Sequence, residues 1–289
     1  MKLIATDLDG TLLNERGEVS EENAQAIKKA VSKGIKFVVA TGRSYDAANK
    51  PLQDAGLSCP IICLNGANTY DSKKTLIRSV PMDNAVCQKI LTTCEDAGMY
   101  IEIFTNQGGY SVSREYFMEV LVDIIKSINS DATEEDVRAY AEQRFQNEHV
   151  QFIDHFEPVL ANPDVEIYKF LSFSFHKEVL KEVSDKLSAE DGVVITSSGH
   201  INLEFNHPDA QKGIALEMLA NSMGISMEDV MALGDNFNDK SMLERAGRGV
   251  AMENAPEAIK TVCRYTTKSN DENGVAHAIE EMLKEMIIS

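Results

Sequence analysis

The chain of 289 residues is long enough for one large or two smaller domains, and with 43% hydrophobic and 26% charged residues it has an ordinary globular composition. A net charge of −18 disfavours nucleic acid and anionic membranes as partners. No apolar run reaches the ~18 residues of a membrane-spanning helix, the N-terminus becomes acidic too early for a signal peptide, and five scattered cysteines match no zinc pattern. We therefore expect a cytoplasmic protein with reduced thiols.

The first 65 residues alternate between apolar strands and helices. Strands are predicted over residues 3–6, 35–40 and 60–64. One predicted helix starts after the N-cap residue Ser20, and a second starts near Ser44 and is interrupted at Pro51. Strands that are apolar on both faces and separated by helices indicate a parallel sheet covered on both sides.

The middle of the chain has a different pattern. Residues 100–113 alternate around Gly108-Gly109 and predict an antiparallel hairpin, and helical, acidic stretches follow over 114–146. Residues 165–175 and 193–206 alternate again, with a helix predicted over 177–189. This pattern indicates an α+β domain over residues 82–207, inserted into a discontinuous core of residues 1–81 and 208–289.

The α/β pattern returns after the insertion. Helices are predicted over residues 211–223, 238–246 and 274–286, and strands over 230–233 and 249–252. The fold class expected is therefore α/β.

Four short motifs lie where a predicted strand ends or a predicted helix begins. They are Asp7 with Asp9, Thr41-Gly42, Lys212-Gly213 and the segment Gly234–Asp239. In open α/β sheets, ligands bind outside the carboxyl ends of the strands. The topology should therefore gather these distant groups around one edge of the sheet.

Each group suits a step of phosphoryl transfer. Asp7 is placed to attack phosphorus and form an acyl phosphate. Two like charges ~4 Å apart repel by roughly 4 kcal/mol at an effective dielectric of ~20, so a carboxylate approaching a phosphate needs positive charge. Asp7 and Asp235 offer hard oxygen ligands for Mg²⁺, Lys212 offers a fixed cation, and Thr41 can hold phosphoryl oxygens.

Asp9 is expected to protonate the leaving oxygen and then to deprotonate water. Because a free aspartate has a pKa of ~3.9, this task requires a shift of about three units, which neighbouring carboxylates favour. Gly10 allows a sharp turn after the pair, and the Thr11 hydroxyl can fix the loop.

Each motif alone also has a purely structural explanation. Asp-Gly is a common turn dipeptide, Thr41-Gly42 fits a strand-end turn, Lys212 fits a solvated helix residue, and the acidic run after Gly234 fits a helix cap. Their joint occurrence, in this order and at these positions, favours a catalytic site over these structural explanations.

The motifs DLDGT (7–11), ATGR (40–43), KG (212–213) and GDNFND (234–239) resemble motifs I to IV of the haloacid dehalogenase-like superfamily, and most of all its Cof-type hydrolases. The resemblance extends over essentially the whole chain, because the insertion is similar to the large α/β (type II) cap of that group. It implies a Rossmann-like parallel-sheet core with an inserted α+β cap domain. It also implies a Mg²⁺-dependent phosphatase that forms an aspartyl phosphate.

The resemblance implies a role for each matched residue. Asp7 corresponds to the nucleophile, Asp9 to the general acid/base that also gives its backbone carbonyl to the metal, and Lys212 to the motif III lysine. The metal ligands implied are Asp7, Asp9 and Asp235. The expected phosphate-binding residues are Leu8, Thr41, Gly42 and Asn238, and the expected supporting residues are Thr11, Arg43, Asn65 and Asp239.

Three functions remain open at this stage. The first is hydrolysis of small phosphomonoesters, such as sugar phosphates or phosphorylated cofactors. The second is phosphoryl transfer between positions of a sugar, as in phosphomutases of similar architecture. The third is a non-enzymatic module switched by phosphorylation, for which the chain is long and the position of the first aspartate unusual.

Other features are assigned no chemistry. The six histidines include no pair at metal-binding spacing, and the aromatic run Tyr168–Phe175 is expected to pack in the inserted domain. The loops expected to select the leaving group are residues 106–109 and 197–200.

Overall fold

The computed structural model describes residues 1–119, 122, 133–198 and 201–288, and it divides into two compact units. We call Met1–Val80 with Asp209–Ser289 the core unit, and Pro81–Pro208 the inserted unit. Within the described residues, no helix is both long and apolar enough to cross a bilayer.

The secondary structure alternates in the core unit and is mainly antiparallel in the inserted unit. The strands are β1 (Leu3–Thr6), β2 (Lys36–Ala40), β3 (Ile61–Cys63), β4 (Asn68–Tyr70), β5 (Leu76–Ser79), β6 (Tyr100–Thr105), β7 (Gly108–Ser111), β8 (Gln151–Phe152), β9 (Ile167–Phe173), β10 (Val194–Thr196), β11 (Asn202–Asn206), β12 (Val230–Gly234), β13 (Arg248–Ala251) and β14 (Tyr265–Thr266). The helices are α1 (Glu21–Ser32), α2 (Tyr45–Asp54), α3 (Asn84–Asp96), α4 (Glu134–Asn147), α5 (Glu157–Ala161), α6 (Lys177–Leu187), α7 (Lys212–Ser222), α8 (Lys240–Arg245), α9 (Glu257–Lys260) and α10 (Gly274–Ile288).

The sheet of the core unit runs in the order β14-β13-β12-β1-β2-β3-β4-β5, and β14 to β3 are parallel. All four residues of β1 are buried, because α7 and α8 cover one face of the sheet while α1 and α10 contact each other on the other side. The structure confirms the α/β fold with a parallel-sheet core. It places the carboxyl ends of β1, β2 and β12 side by side.

Ser20 caps α1 as predicted, since its hydroxyl accepts a hydrogen bond from the Asn23 N–H at 3.1 Å. Two other features of the core unit differ from the prediction. Pro51 lies inside α2 rather than interrupting it. Strands β4 and β5 were not predicted; they extend the sheet in an antiparallel direction after β3.

The boundaries of the late helices also shift. The helix predicted over 238–246 is a short 3-10 turn, Phe237–Asp239, followed by α8. The turn leaves the Asp239 side chain beside the end of β12, where its carboxylate accepts hydrogen bonds from the backbone N–H groups of Asp235 and Asn236.

The sheet of the inserted unit runs in the order β10-β11-β9-β6-β7-β8, and its pairs are antiparallel except for β7 with β8. One face packs against α3 and α6 through a buried apolar cluster that includes Ile103, Phe170 and Phe205. The alternating stretch 193–206 is two strands, β10 and β11. Residues 199–200 of the proposed selectivity loop, and residues 120–121 and 123–132 of the acidic stretches, lie outside the described residues.

Candidate active site

Asp7 stands at the carboxyl end of β1. Its backbone N–H donates to the Leu233 carbonyl of β12 at 3.0 Å, which fixes the end of β1 beside the end of β12. The Asp7 residue is only 5% exposed. The chain then turns at Gly10, whose φ of +75° favours glycine, and a Cβ atom there would lie 2.5 Å from Asp235 Oδ2. Both the backbone conformation and the close approach of Asp235 therefore favour glycine at position 10.

Lys212 is fully buried at the first position of α7. Its Nζ lies 2.7 Å from Asp7 Oδ1 and 2.6 Å from Asp239 Oδ1, so one ammonium group bridges two carboxylates. The following residue, Gly213, packs so closely on the backbone of Ser241 that no side chain fits there, and its N–H donates to Ser241 Oγ at 3.0 Å. This close packing sets the start of α7, and with it the position of the lysine.

Asp239 holds the loop that carries Asp235. Its Oδ2 accepts the backbone N–H groups of Asp235 at 2.9 Å and Asn236 at 3.0 Å, while its Oδ1 is paired with Lys212. Both oxygens of Asp239 are thus engaged within the protein. Its oxygens hold the Lys212 ammonium and the loop of Asp235, and its role as a supporting acid stays a prediction.

Asp235 is buried at the end of β12 and is linked to the loop after β1. The fully buried Thr11 hydroxyl donates to Asp235 Oδ1 at 2.8 Å. Carboxylate oxygens of Asp7, Asp235 and Asp239 lie within 4.8 Å of one another. Since Asp239 is already engaged, Asp7 and Asp235 are the carboxylates that fit a small divalent cation, whose preferred ligands are hard oxygens.

The Asp9 carboxylate lies outside this cluster. Its side chain is 57% exposed and pairs with Arg43, whose Nε donates to Asp9 Oδ2 at 2.8 Å while Nη2 donates to Asp9 Oδ1. The family resemblance implies that Asp9 would bind a metal through its backbone carbonyl, and this role stays a prediction.

The remaining predicted residues follow the carboxyl ends of the parallel strands β1, β2, β3 and β12. Thr41 is fully buried, and its hydroxyl accepts the Arg43 N–H at 3.2 Å. Asn65, at φ 57°, donates its N–H to the Thr41 carbonyl at 3.0 Å and accepts the Asn238 side-chain amide at 3.3 Å. Leu8 is fully buried, so its backbone is the part that can contact a ligand.

Burial dominates the electrostatics of the cluster. It raises the pKa of Asp7 well above its usual range, with Asp239 adding to the effect and Lys212 opposing it. Burial, followed by Asp239, raises the pKa of Asp235 to about 7, against the lowering effect of the Thr11 hydrogen bond. Burial lowers the pKa of Lys212, but the attraction of Asp239 and Asp7 outweighs it and the pKa is raised. Lys212 is therefore charged at neutral pH.

One residue at this edge was missed by the sequence reasoning. The Asn254 side-chain amide donates to the Gly10 carbonyl at 2.8 Å and supports the turn after Asp9. Asn254 lies just after β13, whose carboxyl end is at the same edge of the sheet. This position after a predicted strand could have indicated that Asn254 lies near the site.

Residues 4–279 match the family described as haloacid dehalogenase-like hydrolase. The chain belongs to this family. It is 36% identical over 285 residues to phosphatase YwpJ of Bacillus subtilis, covering 98% of this chain and all of that protein, and 38% identical over 284 residues to 5-amino-6-(5-phospho-D-ribitylamino)uracil phosphatase YwtE of the same organism, covering 98% of each. A solved haloacid dehalogenase-like hydrolase from B. subtilis superposes with a TM-score of 0.89 at 36% identity, over 97% of this chain and 99% of that one.

The family resemblance inferred from the four motifs is thus confirmed, and so is the expectation of a hydrolytic enzyme. The individual roles of the site residues stay predictions.

Proposed function

We propose that this haloacid dehalogenase-like hydrolase is a Mg²⁺-dependent phosphatase that hydrolyses small phosphomonoesters through an aspartyl phosphate at Asp7. The observation that carries the proposal is the buried Asp7 carboxylate, bound by Lys212 at 2.7 Å and standing beside Asp235 at the carboxyl ends of two parallel strands. The names of its B. subtilis relatives support the phosphatase activity.

Asp7 is the proposed nucleophile. Lys212 holds its Oδ1, which fixes the plane of the carboxylate and leaves the other oxygen to attack phosphorus. The same ammonium group offsets part of the repulsion between the carboxylate and a phosphate dianion, which is roughly 4 kcal/mol per pair of unit charges at ~4 Å and an effective dielectric of ~20. Asp239 keeps the lysine in place.

Asp7 and Asp235, with the Asp9 backbone carbonyl that the resemblance implies, would hold Mg²⁺. The ion would supply positive charge that offsets the repulsion between the attacking carboxylate and the phosphate. Thr11 orients Asp235 for this task through its hydroxyl. Thr41, Gly42, the Leu8 backbone and Asn238 are the proposed contacts of the remaining phosphoryl oxygens.

Asp9 is the proposed general acid and base. Its exposed carboxyl group lies two residues from the nucleophile, outside the buried cluster, where the leaving group of a substrate can reach it. It would give a proton to the leaving oxygen in the first step and accept one from water in the second.

We further propose that residues 82–207 serve as a cap that excludes water and selects the leaving group. The support is that this segment forms a compact unit of its own with a separate apolar cluster, inserted between the second and third motifs. A small phosphorylated metabolite would be the partner, and the phosphorylated ribityl compound named for YwtE is the first to test.

The test is a screen of phosphorylated metabolites that measures inorganic phosphate release with Mg²⁺ and with EDTA. The wild type should release phosphate only with Mg²⁺, while Asp7→Ala and Asp7→Asn should release none. An exposed, unrelated exchange, Asp54→Asn, serves as the matched control and should retain full activity. Phosphate release by Asp7→Ala at the wild-type rate would contradict the proposal.

A further inference from the structure

The side chain of Asp9 is held by one neighbour. Arg43 donates from Nε to Asp9 Oδ2 at 2.8 Å and from Nη2 to Asp9 Oδ1, so the two planar groups face each other as a fork. Within the described residues, no other hydrogen bond to this carboxylate is recorded. An exposed aspartate without this pairing would rotate freely about its side-chain bonds, whereas the rigid fork fixes the carboxyl plane.

Arg43 is in turn anchored by several contacts, and its carbonyl accepts a hydrogen bond from the Leu64 N–H at 3.0 Å. Its backbone N–H donates to the Thr41 hydroxyl at 3.2 Å, and its Nη1 donates to the Ala47 carbonyl at 3.3 Å. Ala47 precedes Pro51 by four residues in α2, and proline has no N–H to complete the usual helical bond to that carbonyl. The arginine therefore takes the bond that Pro51 leaves unmade.

The bond from Arg43 to the Ala47 carbonyl supports α2, but it does not explain why the same guanidinium also holds Asp9. The side chains of Arg43 and Asp9 are 27% and 57% exposed, and solvent-exposed ion pairs usually contribute little to folding, with bidentate pairs contributing more than others. The pair joins the strand-end loop after β1 to the first turn of α2, next to the buried Asp7 cluster. Its position favours a role in the reaction.

We propose that Arg43 is the positioning residue for Asp9 in proton transfer to and from the substrate. This inference rests on the proposed phosphatase function. In the first step the Asp7 oxygen bonds to phosphorus, the bond from phosphorus to the leaving oxygen breaks, and the Asp9 proton passes to that oxygen. In the second step a water oxygen bonds to phosphorus, its proton passes to Asp9, and the Asp7–phosphorus bond breaks to release phosphate.

The fork leaves room for proton transfer. Protonated Asp9 carries a hydrogen on one oxygen, which keeps acceptor capacity but is a weaker acceptor for the guanidinium than a carboxylate oxygen. That oxygen can donate its hydrogen to the leaving group while the other oxygen keeps the carboxyl group oriented. Because the pair is partly exposed, water can replace the contact that is weakened.

Substrates whose leaving groups differ in their need for a proton can distinguish a positioning role of Arg43 from a purely structural role. An alkoxide leaves poorly without a proton, whereas 4-nitrophenolate leaves as the anion and needs little general-acid assistance. General acid–base catalysis typically contributes about 10²–10⁴-fold. Arg43→Met should therefore lower kcat/KM about 100-fold for an alkyl phosphate that the wild type hydrolyses, and only a few-fold for 4-nitrophenyl phosphate.

The experiment compares both substrates in the wild type, Arg43→Met, Arg43→Lys, Asp9→Asn and the double variant Asp9→Asn/Arg43→Met, with thermal unfolding as a check on folding. Arg43→Lys should recover part of the alkyl activity through a single contact. In the Asp9→Asn background, loss of Arg43 should cause no further selective loss. Arg16→Met removes another exposed arginine–carboxylate pair, with Glu18, and should leave both rates unchanged.

Equal losses on the two substrates, or no loss on the alkyl phosphate, would overturn the role of Arg43. A wild type that releases phosphate from no phosphomonoester in the Mg²⁺ screen would overturn the proposed function itself, and with it this inference. The two failures are therefore distinguishable.

Discussion

Replacing Asp235 by asparagine should stabilise the metal-free protein at high pH while abolishing its response to Mg²⁺. Burial and the neighbouring Asp239 oppose the charge on Asp235 and raise its pKa to about 7 from the ordinary value of 3.8. Asparagine has nearly the same shape and carries no charge. Its carbonyl oxygen can still accept the Thr11 hydroxyl, which donates to Asp235 Oδ1 at 2.8 Å in the wild type.

The magnitude follows from the two pKa values. At pH 8 the carboxyl group is ionised in both the folded and the unfolded chain, and the difference of about three pH units costs the folded state roughly 4 kcal/mol. At pH 5 the folded chain keeps the proton that the unfolded chain has lost, and the cost falls to about 1.5 kcal/mol. The metal-free wild type thus loses stability as pH rises from about 4 to about 7.

The asparagine variant lacks this pH dependence at position 235. An unpaired buried amide N–H costs about 1–3 kcal/mol, so the variant should be near the wild type at pH 5 and about 1–3 kcal/mol more stable at pH 8. The stability difference between Asp235→Asn and the wild type should increase by about 3 kcal/mol from pH 5 to pH 8. This increase does not depend on the cost of the unpaired amide, because that cost is the same at both pH values. Mg²⁺ at 100 times its dissociation constant should stabilise the wild type by about 2.7 kcal/mol and the variant not at all.

Urea denaturation at pH 5 and pH 8, in EDTA and in Mg²⁺, measures all of these quantities. Asp229→Asn is the matched control: Asp229 is paired with Lys2 on the surface, its pKa is lowered by that hydrogen bond, and its loss should be weakly destabilising and independent of Mg²⁺. A stability difference between the wild type and Asp235→Asn that is the same at both pH values would refute the reasoning.

Three further substitutions test other contacts of the site. Lys212→Met leaves two buried carboxylates without their cation, and should abolish phosphate release and lower the free energy of unfolding by about 3–5 kcal/mol, measured with urea. Gly10→Ala introduces strain at φ +75° and a clash with Asp235, and should cost about 1–3 kcal/mol and weaken Mg²⁺ binding in calorimetric titration. Thr11→Val leaves the Asp235 carboxylate without its donor, and should cost about 1–3 kcal/mol by urea denaturation and move the pH midpoint of Mg²⁺ binding upward.

The parallel part of the fold could be predicted because its strands are short apolar runs in the sequence. Every residue of β1 is buried, and so are all but Lys36 in β2. The antiparallel extension could not be predicted in the same way. Strand β4 is only three residues long and β5 is largely exposed, so neither has the hydrophobic pattern on which the prediction relied.

Pro51 shows a different limit of sequence reasoning. A proline inside a helix removes one hydrogen bond and normally ends or kinks the helix. Here the carbonyl that loses its partner, that of Ala47, accepts Arg43 instead, and α2 continues to Asp54. Local propensity could not anticipate a compensating donor that comes from outside the helix.

The sequence was sufficient to predict which residues lie near the site, but not which side chains form hydrogen bonds with each other. Strand ends at one edge of the sheet brought Asp7, Lys212 and Asp235 together, and this proximity follows from topology alone. The hydrogen bond from Thr11 to Asp235 joins residues 224 positions apart, and no spacing rule indicates it. The same holds for the Arg43 fork on Asp9, which depends on side-chain conformations.

The charges of the buried cluster explain why a cation and an anionic substrate should bind together. Lys212 is shared by Asp7 and Asp239, so when all three carboxylates are ionised the four groups carry a net charge of −2. A phosphate dianion alone would meet this charge and the field of a chain with net charge −18, and should bind weakly. A divalent cation bound at Asp7 and Asp235 would bring this charge to zero, which would remove the local repulsion and favour binding of the phosphate. Because such coupling is reciprocal, the substrate should tighten the binding of the cation by the same factor.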